Sequence, residues 1–106
     1  MSTRLQQNWA FLNLLATAPH KQRKALLESS NHQQIKTLLE VIYNVIHNRA
    51  VIPSEDYIRS LYKYRHLLRR LAKKSGRHKK SLLLKCHRFI PILLKPLLPG
   101  IHKHGE

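Results

Sequence analysis

Acidic residues are scarce in this chain of 106 residues, which has five Asp and Glu against twenty Lys and Arg. So few carboxylates provide few candidates for a general acid or a general base. The adjacent pair Glu55 and Asp56 follows Ser54 at a predicted helix start, where acidic side chains favour the helix dipole. Glycine is scarce too, at three residues, and neither a glycine-rich phosphate loop nor a nucleophile elbow occurs. We therefore expect a protein that is not an enzyme, with no catalytic residues and no cofactor.

A single cysteine, Cys86, excludes an internal disulfide framework. Cys86-His87 with His78, or His102 with His104, could in principle ligate zinc, but the spacing matches no common zinc-finger pattern. Histidines in a basic chain more often add positive charge below about pH 6.5. The sequence therefore predicts no metal site.

Long hydrophobic runs are absent, since no stretch reaches the roughly 18 to 20 apolar residues of a membrane-spanning helix. The apolar N-terminal stretch is interrupted by Gln6, Gln7, Asn8 and Asn13, which makes it a poor secretory signal. An apolar content of 42% is enough for a small core and too high for a wholly disordered chain. We expect one small folded protein inside the cell.

Positive charge is abundant and unevenly placed. Residues 1–56 hold six basic and four acidic residues, whereas residues 57–106 hold fourteen basic residues and one acidic residue. A half-chain this basic repels itself unless counter-ions or an anionic ligand screen it. The charge therefore predicts a polyanionic partner. Nucleic acid is the first candidate, with double-stranded DNA as its expected form, and an anionic membrane surface is the main competitor.

Hydrophobic periodicity predicts four helices. They cover about residues 3–17, 19–28 and 31–48, and a basic helix that begins after Ser54 and ends at Gly76. Ser30 with Gln33 predicts a capping box before the third helix. Residues 81–88 predict a further helical segment.

The basic helix is strongly amphipathic. At 100° per residue from Tyr57, Leu, Ala, Ile and Tyr side chains fall on one half of the helical wheel and Arg, Lys and His on the other, and only Tyr62 and Arg65 cross over. We expect Tyr57 and Tyr64 in the core, whereas Tyr62, set among cations, is a candidate for stacking on nucleic-acid bases. Leu61 and Leu68 should be buried against Leu39 and Ile42 of the third helix. The predicted phosphate-binding residues are Arg59, Lys63, Arg69, Arg70, Lys73, Lys74, Arg77, Lys79 and Lys80.

The C-terminal segment FIPILLKPLLPGI (89–101) contains three prolines, which prevent a regular long helix. The predicted fold is all-α: a small bundle of three to four short helices over 1–75, followed over 76–106 by a basic link and an irregular, proline-containing apolar tail. Three alternatives stay open for the tail. It could insert into a membrane interface, dock on a protein partner in extended form, or fold back over the bundle.

Four segments in this order, KQRKALLE (21–28), LLEVIYNVI (38–46), YKYRHLLRRLAKK (62–74) and FIPILLKPLLPGI (89–101), carry a family resemblance. The chain resembles the small basic proteins of Polinton/Maverick-type elements and adintoviruses, which have been compared with the small basic core protein of adenoviruses. One departure is Cys86-His87-Arg88, where those proteins carry a Gly-Gly pair. The resemblance implies a DNA-associated role in a virus-like particle, a capsid protein as a further partner, and a location in the virion or the host nucleus.

Three functional hypotheses result. The first is a non-enzymatic protein of a virus-like or mobile element that binds and condenses DNA without sequence specificity. The alternative is a membrane-active or capsid-internal peptide that acts through its apolar tail. The third is a helical interaction module whose charge suits a large acidic protein.

Overall fold

Helices dominate the chain, and the predicted all-α class is confirmed. The computed structural model describes residues 3–47, 54–73 and 78–98, and no strand occurs within these ranges. The α-helices of these ranges are α1 Thr3–Gln7, α2 Trp9–Thr17, α3 His20–Ser29, α4 His32–Ile46, α5 Glu55–Leu61, α6 Arg65–Ala72, α7 Lys79–Lys85 and α8 Phe89–Leu94. Short 3₁₀ turns at Tyr62–Tyr64 and Lys95–Leu97 follow α5 and α8.

The predicted first helix is divided in two at Asn8. The Asn8 side-chain amide donates to the Arg4 carbonyl at 2.9 Å, a local bond of the kind that competes with regular helix formation. Helix α2 ends at Thr17, with Ala18 as its C-cap. The backbone of Pro19 is extended, and α3 begins at the next residue. Pro19 is therefore the N-cap of α3 rather than its first residue.

The capping box of α4 is present but displaced by one residue from its predicted position. The Gln34 N–H donates to Asn31 Oδ1 and the Asn31 N–H donates to Gln34 Oε1, both at 2.9 Å. The Ser30–Gln33 prediction is thus wrong, because the Ser30 hydroxyl is buried and donates to the Leu27 carbonyl at 2.6 Å. Ser30 closes α3 instead of opening α4.

The basic helix starts where predicted but is not continuous. Ser54 caps α5, since its Oγ accepts from the Tyr57 N–H at 3.2 Å. The Ser60 hydroxyl then donates to the Tyr57 carbonyl at 2.7 Å, and such a side-chain bond to the preceding turn disturbs the α-helical ladder. The 3₁₀ turn follows, and α6 ends at Ala72 before Lys73 turns extended, so the end predicted at Gly76 is late. Gly76 itself lies outside the described residues.

One hydrophobic core joins both parts of the chain. The most extensive helix–helix contact within the described ranges is between α4 and α6, followed by that between α2 and α8. Ile42, Leu61 and Leu68 are buried as predicted, and Leu39 is partly buried against the same core. The fully buried large side chains are Leu12, Leu15, Leu27, Leu38, Ile42, Leu68, Leu71, Leu83, Phe89, Ile90, Leu93 and Leu94.

Residues 89–98 belong to this core rather than to an irregular tail. Phe89, Ile90, Leu93 and Leu94 of α8 are each 0% exposed, and α8 packs against α2 and α5. Pro91 is the third residue of α8, where a helix N–H has no intrahelical acceptor, so the proline fits without loss of a bond. Of the three alternatives for the tail, the structure shows the third for residues 89–98, which fold back over the bundle. The predicted boundary between 75 and 76 falls inside 74–77, outside the described residues, and side chains from both sides share the core.

The phenol of Tyr57 fixes α5 to α8. Its hydroxyl donates to the Leu93 carbonyl at 2.9 Å, and burial raises the pKa of this phenol well above its ordinary value. Tyr57 is therefore a neutral core residue, as its place on the apolar half of the wheel predicted. The buried apolar side chains of α5 and α6 thus determine which side chains of these helices face the solvent.

Candidate nucleic-acid interface

The two halves of the wheel separate in the structure as they do in the sequence. Tyr57, Leu61, Leu68 and Leu71 are buried, whereas the side chains on the opposite half of α6 are exposed. Ile58 is the exception, because it lies on the apolar half and is 46% exposed. Ile58 is therefore a large apolar side chain at the surface.

The basic side chains of α6 and of the residue after it form an exposed stripe. His66, Arg69, Arg70 and the following Lys73 are all exposed, and α6 contains no acidic residue. Arg69 and Arg70 lie in the last turn, where positive side chains favour the helix dipole. We call these four residues the α6 stripe.

Two further predicted residues, Arg59 and Lys63, are exposed on α5 and the 3₁₀ turn. Arg59 pairs with Asp56 at 3.2 Å, but both side chains are largely exposed, at 74% and 88%. A surface ion pair of this kind holds its partners weakly. Asp56 therefore does little to hold Arg59 in place.

Lys79 and Lys80 have structural partners that the sequence did not reveal. The Lys80 ammonium donates to the carbonyls of Glu28 and Ser30, at 3.1 and 2.9 Å, and so caps the C-terminal end of α3. The Lys79 ammonium donates to the Lys73 carbonyl just after α6. Both side chains are half-buried. Their bonds link the start of α7 to the end of α6 through Lys79 and to the end of α3 through Lys80. Lys74 and Arg77, the last two predicted binding residues, lie outside the described residues.

A groove runs along α4 beside the α6 stripe. It consists of three adjoining concavities of about 350, 280 and 370 Å³, and each shares lining residues with the next. Leu39, Tyr43 and Ala72 contribute to its apolar lining, and Lys36, Arg69 and Lys73 contribute positive charge. Glu40 is the only acidic residue among the described ones that line it, and it is paired with Arg4 at 3.5 Å. We call this surface the α4 groove.

Lys36 lines the same groove as Lys73 and was not among the predicted phosphate-binding residues. It sits alone in α4, between apolar and amide side chains, and no local charge cluster marks it. Only the packing of α4 against α6 places it on the same groove as Lys73. No local sequence feature therefore marks Lys36, because its position beside Lys73 depends on tertiary packing.

A separate and larger concavity, of about 750 Å³, lies between α5, the 3₁₀ turn and α8. Tyr62 is 62% exposed there, and the Arg65 guanidinium lies over its ring, 4.1 Å from the ring centre. The other lining residues are Glu55, Ile58, Arg59, Ser60, Lys63 and Ile92. We call this the Tyr62 shelf.

Within the described ranges, neither a metal-ligand cluster nor a membrane-spanning helix occurs. No group of three or more His, Cys, Asp or Glu side chains there is arranged to hold a metal ion. None of the helices described is long and apolar enough to cross a membrane. Cys86 is exposed and His87 is buried, so this adjacent pair does not face one common site.

Comparison with protein-family models, with curated proteins and with solved structures finds no match to this chain.

Proposed function

We propose that this chain is a non-enzymatic protein that binds nucleic acid, DNA in particular, through its phosphates and without reading sequence. The observation that carries the proposal is the α6 stripe, in which exposed cations lie along one helix with no acidic residue among them. Phosphate contacts supply affinity through counter-ion release and need positive charge rather than a base-reading code.

The surroundings of the α6 stripe support the same proposal. The α4 groove adds Lys36 on one side, and Arg59 and Lys63 continue the positive charge toward α5. The family resemblance adds a setting: DNA neutralisation in a virus-like particle or a mobile element's complex, with a capsid protein as a further partner and the virion or host nucleus as the location. These remain parts of the proposal.

The membrane-active alternative meets an obstacle in the core. Its working side chains, Phe89, Ile90, Leu93 and Leu94, are fully buried between other helices. Insertion into a bilayer would first require the core to open, which removes the hydrophobic stabilisation that those side chains supply. The DNA proposal needs no such rearrangement.

The test compares two charge-matched variants. The stripe variant replaces Arg69, Arg70 and Lys73 of the α6 stripe, together with the next residue in sequence, Lys74, by Gln. The control variant replaces Lys21, Lys24, Lys85 and Arg88 by Gln. The control residues are exposed and lie on α3 and around the end of α7. Both variants lose four charges, so any difference between them reports position rather than net charge.

The measurement is duplex DNA affinity against salt concentration. If about six to nine cations meet phosphates, log affinity should fall against log salt with a slope of about −5 to −8 in the parent protein. The stripe variant should bind much more weakly, with the slope reduced by about 3 to 4 units, whereas the control variant should change less. Scrambled duplexes of equal length should bind alike. Parent-like binding by the stripe variant, or a tenfold preference for one sequence, contradicts the proposal.

A further inference from the structure

The Tyr62 shelf exposes apolar surface in a chain that otherwise buries it well. Of the described residues, the exposed large apolar ones are Leu14, Ile58 and Tyr62, and two of these three line the same concavity. Ile92, partly buried on α8, lines it as well. Scattered exposed apolar residues need no explanation. Here two of them adjoin in one concavity flanked by charged side chains, which makes it a candidate binding surface.

The rim of the shelf is predominantly cationic. Arg59 and Lys63 line it, and Arg65 covers one face of the Tyr62 ring, against Glu55 as the one acidic lining residue among those described. An occupant that carries negative charge outside and a flat apolar surface inside would match both features. A nucleotide has this combination, since its phosphate is anionic and its base has an apolar face.

We infer that the Tyr62 shelf binds one unpaired nucleobase, stacked on the face of the Tyr62 ring that Arg65 leaves uncovered, with the flanking phosphates on Arg59 and Lys63. This inference rests on the proposed function and names the form of nucleic acid that the surface prefers. A cation on one side of an aromatic ring and a base on the other is a favourable arrangement, because both interact with the ring face.

Duplex DNA cannot fill the shelf in this way. Its bases are already stacked and paired, and extruding one has an unfavourable free energy. Duplex therefore binds through phosphate contacts alone, whereas a single strand adds a base stacked on the shelf. The expected preference is for single-stranded segments over duplex at an equal number of phosphates contacted.

The experiment separates base stacking from phosphate binding within one oligonucleotide backbone. Parent protein is titrated into labelled oligo-dT of about 10 nucleotides, within the usual site size of single-strand binders, and into an abasic oligonucleotide of the same length. Both carry the same phosphates, so only the bases differ. Three variants are measured in the same way: Tyr62→Ala, Tyr62→Phe and, as a matched exposed apolar control on α2, Leu14→Ala.

The parent protein should bind oligo-dT more tightly than the abasic strand by about five- to a hundred-fold, the range of one base–aromatic stack. Tyr62→Ala should remove this preference and leave abasic binding unchanged. Tyr62→Phe and Leu14→Ala should both keep it. The thermal unfolding midpoints of all variants should match the parent's, since Tyr62 and Leu14 lie outside the core.

Two contrary outcomes are distinguishable. If the parent binds both strands equally and with steep salt dependence, or Tyr62→Ala keeps the preference, the stacking inference is overturned while the proposed function stands. The shelf would then fit an apolar protein partner instead. If the parent binds neither strand, the proposed function and the inference fail together.

Discussion

Arg23 donates its Nε–H to Nδ1 of His87 at 3.0 Å, in a site where both residues are buried and no carboxylate of the described residues takes part. The same guanidinium donates to the Ala18 carbonyl at 3.3 Å, and the His20 ring packs against His87 at 4.5 Å between ring centres. The pair ties α3 to the segment that joins α7 to α8. Because Nδ1 must accept a hydrogen bond, this geometry requires a neutral His87.

Stability should therefore fall in mild acid. Burial, followed by the charges of Arg23, His20, Lys24 and Arg88, lowers the pKa of His87 below its ordinary value of 6.5. Well above pH 6.5, His87 is neutral in folded and unfolded chains alike. Its full contribution to the free energy of unfolding is then present. As pH falls from 6.5 through the lower folded pKa, the unfolded chain binds the proton first, and stability drops by at most about 1.4 kcal/mol per pH unit.

Urea unfolding midpoints between pH 8 and pH 5 measure this effect, and His87→Asn is the matched control. Asparagine offers an acceptor oxygen near the position of Nδ1 and does not titrate in this range. The variant should unfold with a weaker pH dependence than the parent. Identical pH profiles would show that His87 is not the group responsible.

The buried leucines of α5 and α6, Leu61 and Leu68, should be essential to the stability of the fold. Leu61 and Leu68 are 5% and 2% exposed, and truncation of a buried Leu to Ala costs roughly 2 to 5 kcal/mol. Since small domains have about 5 to 15 kcal/mol in total, the double variant Leu61→Ala and Leu68→Ala should lose most of its helical circular dichroism. Leu14→Ala, at an exposed position on α2, should unfold like the parent. Cooperative unfolding of the double variant would show that α5 and α6 do not depend on the bundle.

The C-terminal helix should be as necessary as α5 and α6. Phe89 is fully buried, so Phe89→Ala should lower the free energy of unfolding by about 3 to 5 kcal/mol. Removal of residues 89–106 takes away four fully buried side chains of α8 and should abolish cooperative thermal unfolding. A shorter truncation after Leu98 retains every core residue described and serves as the control. A cooperative transition in the longer truncation would show that α8 is dispensable for the fold.

The sequence predicted those parts of the fold that depend on local chemistry. The apolar spacing of α4 and the serine cap at Ser54 are encoded within a few residues, and both are present. The capping box was misplaced by one residue because Ser30 and Asn31 are both good caps, and only the burial of Ser30 decides between them. Periodicity also could not reveal the break after α5, which coincides with the Ser60 bond to Tyr57.

The tertiary features were out of reach for a physical reason. Residues 89–94 are apolar all round, a pattern that fits a buried helix as well as an irregular apolar tail. Pro91 also argued against a helix here, although it lies in the first turn of α8. In the same way, the exposed cations of α6 followed from the helical wheel, but Lys79 and Lys80 looked equally suited to phosphates. Their carbonyl partners come from residues 6 to 52 positions away in the chain.

The contact between α2 and α8 also determines when this chain can fold during its synthesis. Leu12 and Leu15 of α2 are made early, yet the helix that covers them begins at Phe89. Until the ribosome has released α8, the apolar face of α2 has no lasting cover, and the nascent chain exposes hydrophobic surface beside an excess of positive charge. A premature stop codon before residue 89 would therefore release a polypeptide prone to aggregation rather than a shorter working protein.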